Sequence, residues 1–239
     1  MSKNLRDWVG SDVRRIKHKS LKWLSEQNFF RDPSRPIFSE SNYIFAPADG
    51  IILYQRAVDP TQCILDIKGQ PYSVRSAIQD PLFSKACLVI GIFMTMYDVH
   101  TNRMPYAGFL SYQQLEPATT LNYPMLDIER NLLNELTINY DHAEYLHFNQ
   151  RVLNRVYAPQ LQQHYFILQI ADYDVDCIVP FNLNQNVPVV QNQRFSQIRF
   201  GSQVDLILPL HERNTFETVQ ETMVHVEAGM DPLVRIVRT

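Results

Sequence analysis

From Tyr43 onward the apolar residues of this chain fall into short β-prone runs. They are Tyr43-Ile44-Phe45, Gly50 to Tyr54, Cys63 to Ile67, Leu88 to Met94, Phe166 to Ile170, Asp176 to Val179, Val204 to Leu208 and Leu233 to Val237. Gly, Pro, Asp and Asn separate many of them, and these residues mark turns because they reach positive φ, fix φ or bond their own backbone. The pattern predicts an α+β, β-rich chain: a single domain of predominantly antiparallel sheets preceded by an N-terminal amphipathic helix. Residues 126–136 and 150–158 read as two further helices.

The helix is expected over residues 9–24, where Val9, Val13, Ile16, Trp23 and Leu24 fall near one 3.6-residue face among Arg14, Arg15, Lys17, Lys19 and Lys22. Ser11 or Asp12 would cap its start, and Pro33 and Pro36 forbid its continuation. Residues 1–36 hold nine Lys/Arg against four acids, which leaves 13 basic and 21 acidic side chains in the other 203 residues. We therefore divide the chain into a basic arm, 1–36, and a domain, 37–239. A basic arm on an acidic body argues against nucleic acid as a partner and for an anionic surface met by the arm alone. A basic helix with Trp8, Trp23, Phe29 and Phe30 around it suits a bilayer interface, and the competing expectation is that its apolar stripe packs on the protein's own body.

The longest apolar stretch, Cys87 to Tyr97, is about half of the roughly 20 residues that a membrane span needs. The charged residues after Met1 do not resemble a signal peptide. Cys63, Cys87 and Cys177 lie far apart and form no zinc or disulfide pattern. A reducing, cytoplasmic location at the membrane periphery is expected, with neither a signal peptide nor a transmembrane helix.

Glycine carries the most information. There are 7 in 239 residues, about 3% where an average chain has about 7%, so those retained should stand where a side chain cannot fit. Near three of them are Asp49 (before Gly50), His100 (ahead of Gly108) and Ser202 (after Gly201). An Asp, a His and a Ser could form a relay in which a carboxylate orients an imidazole that deprotonates a hydroxyl. Spacing alone does not single it out, because any chain this long has these residues.

Longer patterns do. Ala46-Pro-Ala-Asp-Gly50, Asp66-Ile-Lys-Gly-Gln-Pro-Tyr-Ser-Val74, Asp98-Val-His-Thr-Asn-Arg-Met-Pro-Tyr-Ala-Gly108, Glu129-Arg-Asn131, Ile198-Arg-Phe-Gly-Ser-Gln-Val-Asp-Leu-Ile-Leu-Pro209 and Glu227-Ala-Gly229 follow one another over residues 43–236. In content and order they resemble the phosphatidylserine decarboxylase family, in particular its short bacterial and archaeal form. The resemblance implies a self-processing carboxy-lyase of phospholipid biosynthesis that converts phosphatidylserine to phosphatidylethanolamine. Its cofactor would be a pyruvoyl group made from Ser202, with no metal and no pyridoxal phosphate. Ser202 Oγ would attack the Gly201 carbonyl, and the chain would part between 201 and 202. His100, oriented by Asp49, would be the base, and would later return a proton to the substrate. Asn102 and Arg103 would meet the substrate, Arg103 through its bidentate fork; both could equally be structural. The partners implied are the phospholipid, a membrane met peripherally and a second copy of the chain in a homodimer.

Several stretches depart from the family pattern. Ile170 to Ile178 is acidic where paired arginines are usual, Gln191 to Ser196 replaces a Gly-Glu motif, and Gln203 stands where short members often have Arg. These departures motivate two alternatives: a decarboxylase of a non-lipid amino acid on the same scaffold, and a non-catalytic relative. Lys68 and Tyr72 lie in a matched stretch without an assigned role. Tyr140, His142, His147 and His164 match nothing.

Overall fold

The computed structural model describes residues 2–116, 122–172, 177–199 and 201–238. Its frame is a sheet of nine strands among the described residues, in the spatial order Lys3–Asn4, Val224–Val226, Gly50–Val58, Cys87–Met94, Ser202–Pro209, Gln163–Ala171, Arg151–Ala158, Gly108–Gln114 and Val187–Val189. Every neighbouring pair is antiparallel. Three smaller sheets accompany it. Ile178–Pro180, Arg194–Ile198 and Thr101–Arg103 form one, Asn214–Thr218, Pro232–Arg238 and Tyr43–Phe45 another, and Leu65–Ile67 with Gln70–Tyr72 a hairpin.

Both faces of the large sheet are covered. Cys87–Met94 is buried along its whole length, which is why it reads as an unbroken apolar run rather than an alternating one. Ile90, Ile92 and Met94 join Val204, Leu206 and Leu208 in one core. Val89 and Phe93 join Ile207, Phe166 and Leu168 in the other. Gly91 interrupts the run because the Tyr54 ring lies on it: a Cβ there would sit 2.3 Å from the ring. Ser202–Pro209, at the centre of the sheet between Cys87–Met94 and Gln163–Ala171, is also wholly buried.

Two helical expectations are corrected. Residues 151–158 form a strand with partners on both sides. Val152 and Val156 satisfy a helical spacing as well as an alternating one, and the β-branched valines together with two flanking strands decide for the sheet. The arm is helical from Leu5 to Ile16 and again from Leu21 to Asn28, with a break over residues 17–20. Its cap is Asn4, whose Oδ1 accepts the Asp7 N–H at 2.9 Å, while Ser11 bonds back to the Asp7 carbonyl inside the helix. The segment expected as a helix over 126–136 is helical from Leu126 to Glu135 and stops at Leu136 in the left-handed region. Asp176, at the head of one expected strand, lies outside the described residues.

The apolar side of the arm packs on the body. Leu5, Trp8 and Val13 belong to the second core, Leu24 and Phe29 are buried, and Lys3–Asn4 extends the edge of the large sheet. Arg14, Lys17, Lys19 and Lys22 remain exposed. No helix among the described residues is long and apolar enough to cross a membrane.

Candidate active site

Ser202 opens the central strand opposite Met94 on one side and Ala171 on the other. Its side chain is inaccessible to solvent, and Oγ donates to the Met94 thioether at 3.1 Å. Sulfur is a weak acceptor, so the hydroxyl is held without being strongly engaged. Gly201 lies in a bend just ahead of the ladder. A Cβ there would come within 2.9 Å of Asp172 Oδ2.

His100 lies just before Thr101–Arg103 and is also fully buried. Its Nε2 sits 3.0 Å from the Thr95 carbonyl. A carbonyl only accepts, so Nε2 carries the proton and Nδ1 holds the lone pair. Among the described residues Nδ1 has no hydrogen-bond partner. Burial pulls the imidazole down to about 4, against the raising effects of the Thr95 carbonyl, Asp98 and Asp49, and Arg31 lowers it further. His100 is therefore neutral at physiological pH, with an unpartnered nitrogen lone pair buried from solvent. The edge of Phe29, from the arm, meets its ring at 4.7 Å.

Asp49 does not hydrogen-bond to His100 among the described residues. Arg35 grips its carboxylate bidentately at 2.6 and 2.7 Å, and the Ala228 N–H donates to it at 2.7 Å. The planar guanidinium matches both carboxylate oxygens at once, a geometry that an imidazole cannot offer. Among the described residues Arg35 and the Ala228 amide take the hydrogen bonds of Asp49, and its charge raises the His100 imidazole from a distance.

The Asp–His pair of this site is Asp98 with His225, 2.6 Å apart. Asp98 also accepts the Thr95 amide and hydroxyl, each at 2.8 Å. These donors outweigh burial and hold the Asp98 carboxyl below its usual range. Burial lowers His225, but Asp98 more than compensates and the imidazole is raised. Trp8 of the arm stacks on it, ring centres 4.3 Å apart and planes within 10°. Sequence reasoning missed His225, and the signal for it was its place two residues before the matched Glu227-Ala-Gly229. Asp98 was in view as the first residue of its motif but had no role.

Arg103 and Asn102 are both buried. Arg103 donates to Asp32 of the arm at 3.1 Å and to the Asn192 and Pro33 carbonyls. It thus binds a carboxylate, but one supplied by the chain. Asn102 meets Gln169 at 2.6 Å and Met94 at 3.6 Å. Glu129, from the matched Glu129-Arg-Asn131, is buried beneath the Met96 amide, 3.3 Å away. Burial, with Asp98 and Asp172 nearby, pushes its carboxyl up to about 8 against the lowering effect of that amide, so it keeps its proton at neutral pH. Tyr72 donates to Asp205 on the opposite face of the sheet, and Lys68 pairs at the surface with Glu144. A cavity of about 340 Å³ separates arm from body, lined among others by Trp8, Arg31, Arg35, Asp49, Asp98 and His225.

A family model described as phosphatidylserine decarboxylase matches residues 27–233. The phosphatidylserine decarboxylase proenzyme of Erythrobacter litoralis is 33% identical over 183 residues, covering 76% of this chain and 62% of that protein. That of Burkholderia ambifaria is 29% identical over 189 residues, covering 77% of this chain and 68% of that protein. The proenzyme of Paraburkholderia phytofirmans is 28% identical over 185 residues, 77% and 69% of the respective chains.

Proposed function

Because the chain belongs to the phosphatidylserine decarboxylase family, we propose that it decarboxylates phosphatidylserine to phosphatidylethanolamine after cutting itself between Gly201 and Ser202. The observation that carries this reading is the state of the two reacting groups. Ser202 Oγ rests on a thioether, and His100 is a neutral imidazole with an unpartnered nitrogen. His100 takes the hydroxyl proton, and Oγ attacks the Gly201 carbonyl. Gly201 suits this step because it has no Cβ to hinder the approach of Oγ to its carbonyl. That the relatives are proenzymes by name supports the same order of events. Maturation would leave a 1–201 fragment, containing the arm of 1–36, and a 202–239 fragment.

The pyruvoyl group derived from Ser202 would supply the electron sink that decarboxylation of an α-amino acid requires. The chain's own residues do the rest. His100 holds and returns the proton at the substrate Cα. Burial keeps its imidazole low, and the Thr95 carbonyl, Asp98 and Asp49 offset part of that, against Arg31. Arg103 exchanges Asp32 for an anionic group of the substrate, and Asn102 shares the Met94 sulfur with Ser202. The exposed Arg14, Lys17, Lys19 and Lys22 face the anionic bilayer, each worth about 1 kcal/mol near the surface. The arm's apolar side stays on the body.

The test is CO2 release from phosphatidylserine vesicles and from free serine, with Ser202→Ala as control. Turnover on the vesicles alone, abolished by Ser202→Ala, is expected, and it should fall with salt as screening shortens to about 8 Å. Turnover of the free amino acid alone would favour the non-lipid reading that the acidic 170–178 stretch motivates. No turnover of either would favour the non-catalytic relative.

A further inference from the structure

A line of buried amides runs across the sheet toward Ser202, and it is anchored at its far end. The Ile167 carbonyl, which only accepts, takes the Asn154 Nδ2–H at 3.1 Å. That fixes which end of Asn154 is the nitrogen, and the same Nδ2 donates to Gln169 Oε1 at 2.8 Å. Gln169 must then present Nε2 on its other side, where it donates to Ser196 Oγ at 2.9 Å and to Asn102 Oδ1 at 2.6 Å. Asn102 is consequently turned with its NH2 group toward Met94, where Nδ2 lies 3.6 Å from the sulfur. Ser202 Oγ rests on the same sulfur at 3.1 Å. Asn154, Gln169, Ser196, Asn102 and Ser202 are all buried.

A buried amide N–H normally secures a strong acceptor, because leaving it without one is costly. Here four polar groups are ordered so that the last donor rests on a thioether, beside the hydroxyl expected to react. Among the described residues that donor has no stronger acceptor than the Met94 sulfur, and a better one arises when negative charge develops next to Ser202. Resting on the self-cleavage reading above, we propose that Asn102 Nδ2–H is the oxyanion donor for that cleavage: it stabilises the alkoxide formed when Ser202 Oγ adds to the Gly201 carbonyl.

The step balances as an isomerisation. The Oγ–C bond forms and the carbonyl π pair moves onto oxygen, where Asn102 donates to it. The alkoxide then collapses, the C–N bond breaks, and the proton taken from Oγ ends on the new Ser202 amine. The product is an ester between residues 201 and 202, and no co-reactant is needed. A donor aimed in advance at developing charge in a water-free site is worth about 100- to 1,000-fold in rate.

Two variants of the full-length chain test the role. Asn102→Leu keeps the approximate volume and removes the donor. Asn102→Asp keeps an acceptor for Gln169 and replaces the donor with an oxygen. Cleavage is followed by gel and intact mass, and hydroxylamine, which cuts esters and not amides, reports the ester. Both variants should cleave at least 100-fold more slowly than wild type and yield no hydroxylamine-sensitive ester. In a Ser202→Ala background both should still melt cooperatively. Gln169→Met, which removes the anchor and leaves Asn102 in place, should slow cleavage about tenfold, and it decides the matter if the Asn102 variants do not fold.

Wild-type cleavage with Asn102→Asp or Asn102→Leu within threefold of it overturns the proposal and leaves the self-cleavage reading intact. Gln169→Met at the wild-type rate, with the Asn102 variants unfolded, overturns it equally. A wild-type chain that never cleaves and never forms the ester removes the self-cleavage reading, and the proposal with it.

Discussion

The two faces of the strand Ser202–Pro209 both bury polar side chains, and they do so in opposite ways. On one face Asp205 is closed in. It accepts Tyr54 at 2.8 Å, Tyr72 at 2.8 Å and Gln203 at 2.7 Å, and Gln203 in turn accepts Tyr145 at 2.7 Å. Burial lifts Asp205 to about 6, with the three donors pulling it down, so it is an anion at neutral pH with its charge spread over a complete set of bonds. On the other face the amide line from Asn154 to Asn102 ends, with Ser202, on a thioether. A closed polar network stabilises and specifies a core, whereas a buried polar group left on a weak acceptor is costly. One strand thus carries a closed polar face and, on the proposed function, a reactive one, one residue out of step.

Breaking the closed face should cost the most. Asp205→Ala strands the Tyr54 and Tyr72 hydroxyls and the Gln203 amide in the core, and should destabilise by about 3–5 kcal/mol in chemical denaturation. Cleavage by the molecules that still fold should be little changed. Gly91→Ala acts on the same face from beneath: its Cβ would meet the Tyr54 ring at 2.3 Å, and the overpacking should cost about 1–3 kcal/mol. A normal melting temperature for either variant would contradict the description of that face.

A second acid raised by burial sharpens the contrast. Glu129, beneath a backbone amide, keeps its proton in the folded chain up to about pH 8, whereas an unfolded glutamate loses it near 4.3. Between those values the folded state binds more protons, so Glu129 makes stability fall as pH rises, by at most about 1.4 kcal/mol per pH unit. His225, whose imidazole is raised in the folded state, adds to the fall once pH passes its unfolded value. Glu129→Gln should flatten the decline between pH 6.5 and 8 without removing the share of His225. An unchanged slope in denaturation curves would show that Glu129 ionises normally. The smallest stability effect is expected at the open end: Met94→Leu conserves volume and should cost less than about 1.5 kcal/mol.

The strands were legible because β-branched and aromatic runs bounded by turn residues admit few other readings. Residues 151–158 were not, since the spacing of Val152 and Val156 fits both periods and only the flanking strands decide. Ser202, Gly201 and His100 were legible through long matched patterns. The Asp98–His225 pair was not, because its members are 127 residues apart and His225 carries no pattern of its own. Arg35 looked like one charge in a basic run, yet it closes on Asp49. Gln169 and Asn154 sit inside strands whose burial hides any polar face, so their alignment toward Asn102 exists only once three strands have been brought into register. The arm was read correctly as amphipathic, but which surface covers its apolar side is a tertiary property: Trp8 reaches His225 only because Lys3–Asn4 pairs with Val224–Val226.

The proposed activity depends on scission of the bond between Gly201 and Ser202. Intact mass of the purified protein, taken alongside Ser202→Ala, tests it directly. We expect two fragments, residues 1–201 and 202–239, the smaller blocked at its first residue by a ketoacyl group, and a single uncut chain for Ser202→Ala. A wild-type protein that remains one chain from Met1 to Thr239 across pH and time would contradict the assignment of this face as a reactive one.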